Sequence, residues 1–147
     1  MPLRLEDDQM CYVCGKKNLK GLRLDFTHPE AGKLETSVVF SKEHQGFKGM
    51  VHGGVVAMIL DEMMVNLAWV EKKPAVTAEL NVRLKKALRV GERVFFEGRI
   101  EAKDKGDRLL YACASAKNEA GEIAALATAT CMRIKGAKNV ALEEKKK

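Results

Sequence analysis

The sequence predicts an α+β fold in which one long buried helix lies against a single antiparallel sheet. Three observations carry this. The stretch Gly49–Val70, GMVHGGVVAMILDEMMVNLAWV, is the most apolar part of the chain. Within it Val56, Leu60 (or Ile59), Met63, Leu67 and Val70 recur at helical period. Around it stand strand-like runs separated by turn residues, two before and four after, which is the order of an α+β domain.

The elements follow in chain order. Residues 1–10 form a lead-in, and Cys11-Tyr-Val-Cys14-Gly15 opens a turn that Asn18 and Gly21 continue. Leu22–Thr27 alternates apolar and polar residues and reads as a half-buried strand. His28-Pro29-Glu30-Ala31-Gly32 is the turn to a second strand, Lys33–Phe40, and together they predict a hairpin. Ser41–Met50 is a loop with Gly46 and Gly49. The helix ends before Glu71-Lys72-Lys73-Pro74, a polar stop with a helix-breaking proline. Four runs complete the sheet, Ala75–Leu88, Arg93–Lys103, Leu109–Asn118 and Ile123–Arg133. The last two are rich in Ala and Thr, and small side chains let a sheet approach a helix closely.

A chain of 147 residues fits one domain, 1–147, with an ordered core of about 11–134 and a flexible tail at 135–147 ending in ALEEKKK. The opening MPLRLEDDQM is acidic and has no apolar run, so no signal peptide is expected and the default location is cytoplasmic. The central apolar stretch is interrupted by Asp61–Glu62 and is read as a core helix, not a membrane span. Four cysteines (Cys11, Cys14, Cys113, Cys131) are expected as free thiols. Cys11 and Cys14 have half the spacing of a zinc site, but Cys113 and Cys131 stand far apart, so no metal is expected. The net charge of +6 suits a polyphosphate ligand or a plain soluble surface. No nucleic-acid motif is present and aromatics are too few to stack bases, so nucleic acid is not the expected partner.

The chemistry concentrates on the helix. Asp and Glu are almost never fully buried unless paired, yet two sit side by side at its centre. Asp61 can activate water or attack a carbonyl directly. It shares a side with Gly54, Ala57 and Ala68, which leave room for a ligand or a neighbouring helix. Glu62 is turned about 100° away and is the rival acid, facing solvent or a partner. At the helix start the unpaired N–H groups and the dipole favour an anion. Gly53 and Gly54 carry no side chain to block an approach, which is how an oxyanion hole is built. The same glycines also suit a sharp loop-to-helix junction, and His52 can orient a ligand, cap the loop or pack in the core. Eight residues separate Gly53 from Asp61, about 12 Å along a helix. A reacting atom must lie about 3 Å from both groups, so one subunit cannot use them together. Two antiparallel helices across a two-fold axis can.

His52-Gly53-Gly54 followed by Asp61, within GMVHGGVVAMILDEM, resembles the signature of the hotdog-fold acyl-CoA thioesterases, in particular the phenylacetate-pathway-type (PaaI-like) branch. CYVCGKKNLKGLRLDF resembles the leader of that branch, and VTAELNVRLKKAL the strand that follows its helix. The leader departs from relatives in having Lys16-Lys17 and Leu19 where proline-containing segments are common. The resemblance implies a long central helix wrapped by a curved antiparallel sheet of five or six strands. It implies a homodimer, pairing into a homotetramer, that hydrolyses an acyl-CoA thioester without a cofactor. Asp61 would serve as base or nucleophile, the Gly53 N–H would polarise the carbonyl, His52 would set the loop, and Thr77 would position the aspartate or the water. Gly54, Asn18, Asn81, Arg83, Lys85, Lys86 and Arg89 are the corresponding candidates for binding substrate, the basic residues through coenzyme A phosphates. The alternative function is a non-catalytic acyl-CoA-binding hotdog module.

Overall fold

A computed structural model describes residues 5–103 and 106–134. The tail expected to be flexible, 135–147, lies outside the described residues. Six strands and one long helix follow in the order β1 (Thr27–Glu30), β2 (Lys33–Val39), α1 (Gly53–Val70), β3 (Ala75–Leu84), β4 (Arg93–Lys103), β5 (Leu109–Lys117) and β6 (Ile123–Arg133). A 3-10 turn, Lys42–His44, lies in the loop before α1. The strands form one antiparallel sheet in the order β1-β2-β4-β5-β6-β3. This is the hotdog architecture, with α1 as the filling.

The helix packs on five of the six strands, β2 to β6. Its Val56, Ile59, Leu60, Met63, Met64, Leu67 and Ala68 are buried. Its 18 residues have a mean hydropathy of 1.4, the length and composition of a membrane span. The fold buries eight of these residues and leaves most of the others half-buried. Close approach comes from the small residues expected in β5 and β6: Ala112, Ala114, Ala116, Ala125, Ala127 and Ala129 are all buried beneath the helix side of the sheet. Gly98 in β4 goes further. A Cβ there would stand 2.6 Å from the Met63 carbonyl oxygen, so the helix backbone rests directly on the strand. Phe40 and Phe96 meet edge to face at 6.4 Å between centroids and close the core on the β2–β4 side.

Two strands differ from the sequence reading by more than one residue. The first strand occupies Thr27–Glu30, not Leu22–Thr27, so His28 and Glu30 lie in the strand and not in the turn. Residues 22–24 nonetheless alternate in burial as expected. Their backbone bonds to the leader, Leu22 N–H to the Tyr12 carbonyl and Leu24 N–H to the Val13 carbonyl, both at 2.9 Å. The run expected as Ala75–Leu88 leaves the sheet after Leu84. Lys85 and Lys86 N–H both donate to the Ala124 carbonyl and turn the chain away.

Candidate active site

Two clusters of functional residues lie along α1. The first is at its start. His52 is the N-cap residue, and its Nδ1 accepts the Gly54 N–H at 2.9 Å. This caps one of the donors that a helix start leaves unpaired. The imidazole fits between two glycines: a Cβ on Gly54 would lie 3.0 Å from Nδ1, and one on Gly46 3.3 Å from Cδ2. The sequence left three roles open for His52, and the structure gives it the capping one. The Gly54 amide, expected to face a ligand, donates to the imidazole in this structure. The Gly53 amide has no acceptor among the described residues. Leu84 approaches Gly53 so closely that a Cβ there would be 2.6 Å from its Cδ1. An open groove of about 440 Å³ runs past this point, lined by His52, Gly53, Val56, Leu84, Lys85 and Lys86 among others. The structure thus brings two of the basic candidates to the helix N-terminus.

The second cluster lies two turns on. Asp61, half-buried, accepts the Thr77 hydroxyl on Oδ1 at 2.7 Å. Thr77 reaches it because β3 is irregular: its pairing with β6 shifts register between Thr77 and Glu79. Bulges of this kind re-aim side chains and are frequent beside active sites. Cys131, paired with Thr77 across the strands, lies buried behind the carboxylate. Burial raises its thiol pKa, the Thr77 hydrogen bond opposes this, and the Asp61 charge adds to it. Neither the bulge nor Cys131 was read as part of the site from sequence.

Other candidates stand apart. Asn18 is occupied within the leader. Its side chain donates to the Met10 carbonyl at 3.1 Å and accepts from Lys20 N–H, and its carbonyl receives Gly21 N–H. It holds the leader's own turn and makes no contact with either cluster. Asn81 and Arg83 are exposed on β3, where Asn81 donates to Glu79. Arg89 is exposed and its backbone bridges Met50. A larger depression of about 640 Å³ around Arg23, Glu35, Phe95 and Lys117 contains none of the expected residues.

Glu62, the rival acid, is half-buried. It meets the leader: Cys14 Sγ lies 3.2 Å and Cys11 Sγ 3.9 Å from its Oε1. Asn66, buried one turn on, donates its amide to the same oxygen at 3.2 Å.

Comparison with known proteins agrees with the fold. The sequence profile described as the Thioesterase superfamily matches residues 48–125, more than half of the chain. No curated protein matches the sequence. Among solved structures, a Streptococcus mutans protein bound to acetyl-CoA is 19% identical, with a TM-score of 0.70 over 78% of this chain and 91% of its own. A phenylacetic acid degradation-related protein of Ralstonia eutropha is 23% identical, with a TM-score of 0.66 over 74% and 83%. A Streptococcus pneumoniae hypothetical thioesterase with coenzyme A is 14% identical, with a TM-score of 0.69 over 75% and 84%. Forms of it with an aspartate or a threonine replaced by alanine share the fold equally. By the profile match and the fold, this chain belongs to the hotdog thioesterase superfamily.

Proposed function

We propose that the chain hydrolyses an acyl-CoA thioester to the free acid and coenzyme A, at sites shared between two subunits. The observation that carries this is the Thr77–Asp61 hydrogen bond at 2.7 Å, on a helix whose glycine end is too distant to serve the same thioester. Asp61 takes a proton from water, which adds to the thioester carbonyl, or adds to that carbon itself through Oδ. Negative charge collects on the carbonyl oxygen, where the N–H of Gly53 of the partner subunit donates. The C–S bond then breaks and the coenzyme A thiolate leaves with a proton. If Asp61 attacks first, water hydrolyses the resulting anhydride. Thr77 is a positioning residue that holds the carboxylate through one oxygen and leaves the other for the reaction.

Spacing in a relative supports the assignment. The aspartate and threonine replaced in the S. pneumoniae protein are sixteen positions apart, as are Asp61 and Thr77. The coenzyme A in that structure and the acetyl-CoA in the S. mutans one support the substrate class. The groove beside Gly53 carries Lys85 and Lys86 for coenzyme A phosphates, with Arg83 and Arg89 further out. The shared site is supported by β3, an edge strand whose Ala78–Asn81 are exposed on both faces and whose Leu80 and Leu84 leave apolar surface open. An unpaired edge of this kind is a template for a second copy. The homodimer, and a homotetramer built from two of them, is part of the same reading.

Release of free thiol from a panel of short, medium, long and phenylacetyl-CoA thioesters tests the proposal. Phenylacetyl-CoA is included because the R. eutropha protein of the same fold is named for phenylacetic acid degradation. Turnover of at least one member by a dimer or tetramer is expected. Tight binding without release from any of them would replace the proposal with a non-catalytic acyl-CoA-binding module.

A further inference from the structure

The thiols of the leader and the second helix carboxylate are not used by the chemistry proposed above. Cys11 Sγ, Cys14 Sγ and a Glu62 carboxylate oxygen all lie within 4.8 Å of one another. They come from elements about 50 residues apart in sequence, so their meeting is a product of the fold. We propose that these three side chains form a zinc site that fastens the leader to α1, with water or another small ligand in the fourth position.

The local backbone is built for it. Gly15 N–H donates to the Cys11 carbonyl at 2.8 Å, closing a tight turn around the Cys-Tyr-Val-Cys segment. A Cβ at Gly15 would fall 2.4 Å from the Cys11 nitrogen and 2.6 Å from its carbonyl oxygen, so the turn requires glycine. Cysteine binds metal as the thiolate, and binding itself releases the proton.

The distances fit as well. With Zn–S of about 2.3 Å and Zn–O of about 2.1 Å, a tetrahedral site has S···O edges of about 3.6 Å. The two S···O separations, 3.2 and 3.9 Å, bracket this value. Two thiolates select a borderline-soft ion such as zinc over magnesium or calcium, and one carboxylate is compatible with it. The Asn66 amide on Glu62 Oε1 supplies the outer hydrogen bond that fixes a carboxylate ligand. All three ligand residues are only half-buried, which leaves a path for the ion.

The test uses the full chain, stripped with chelator, kept reduced by a phosphine, and titrated with zinc against a chromophoric chelator. Cobalt substitution gives a second readout. One equivalent of zinc per chain is expected, and the cobalt form should show thiolate-to-metal charge transfer and tetrahedral d–d bands. Cys11→Ser with Cys14→Ser should abolish both. Glu62→Gln, which keeps size and polarity and guards against misfolding of the cysteine variant, should weaken zinc by at least about tenfold. Asp61→Asn, one residue away, should leave zinc affinity unchanged. No uptake by the reduced wild-type chain would overturn the proposal, as would uptake that survives loss of both cysteines. So would wild-type affinity in Glu62→Gln.

Discussion

Asp61 and Glu62 are neighbours on one helix, equally half-buried, and their surroundings have opposite character. Asp61 faces a hydroxyl from β3, with a cysteine kept protonated behind it. Glu62 faces two thiols from the leader, and the pKa of one of them, Cys11, is lowered chiefly by the Cys14 side chain. A single residue step, about 100° of helix rotation, separates a carboxylate suited to proton transfer from one suited to holding a cation. Their meaning comes from the strand and the loop that the fold delivers to each side, and not from the helix.

The comparison breaks most sharply at Asp61. Asp61→Asn keeps the hydrogen bond from Thr77 but removes the base or nucleophile, and kcat for thioester hydrolysis is expected to fall about 10²–10⁴-fold. Steady-state thiol release checks this, and wild-type turnover in the variant would remove Asp61 from the mechanism. Thr77→Ala comes next. Loss of a hydrogen bond to a charged group is worth about 1.5–3 kcal/mol, or about 10–100-fold in kcat. Thr77→Ser keeps the hydroxyl and should recover most of that loss, a rescue that a merely structural role would not require.

How much of this was legible in the sequence depended on the kind of signal. The helix and the strands Arg93–Lys103 and Ile123–Arg133 have the bounds that period and turn residues indicate, because each repeats one pattern over many residues. Leu22–Phe26 has the strand period yet lies outside the sheet, since its partner is the leader backbone and periodicity does not say which backbone pairs. The pairing of Thr77 with Asp61 followed from the family resemblance, whereas the bulge that produces it is a property of strand register. The contacts of Glu62 with the leader are beyond the sequence for a similar reason. Helical geometry gave its direction correctly, but no spacing rule links it to cysteines about 50 positions earlier. Gly98 was within reach: an isolated glycine inside a strand pattern marks a close backbone approach, and it lies under Met63.

The cysteines sharpen the comparison further. Cys11, beside Glu62, has its pKa lowered to about 5, chiefly by the Cys14 side chain. Cys131, beside Asp61, has its pKa raised by burial, and Cys113 is pushed up to about 11 by the same cause. In the metal-free reduced chain, iodoacetamide at pH 7 should therefore label Cys11 well ahead of Cys113 and Cys131, as peptide mass spectrometry can measure. Zinc should suppress that labelling. Equal labelling of Cys11 and Cys113 would mean that the leader turn does not stabilise a thiolate.

The smallest expected effect is on stability, and its sign follows from the same shift. The Cys11 pKa is lower in the folded chain than its ordinary value of 9.0. Folding therefore favours the ionised form, and the stabilisation is fully present above pH 9. It declines as pH falls from 9 toward 5 and is gone below the folded value. Cys131 works in the other direction: its folded pKa is raised, so its contribution is present below pH 9 and is lost as the solution becomes more alkaline. Thermal unfolding of the metal-free wild-type chain and Cys11→Ser, compared at pH 5 and pH 8.5, isolates the first term, because the other titrating groups are common to both. The gap in Tm should be wider at pH 8.5. A gap that narrows with rising pH would show that Cys11 is protonated in the fold, leaving Glu62 facing two neutral thiols and erasing its electrostatic contrast with Asp61.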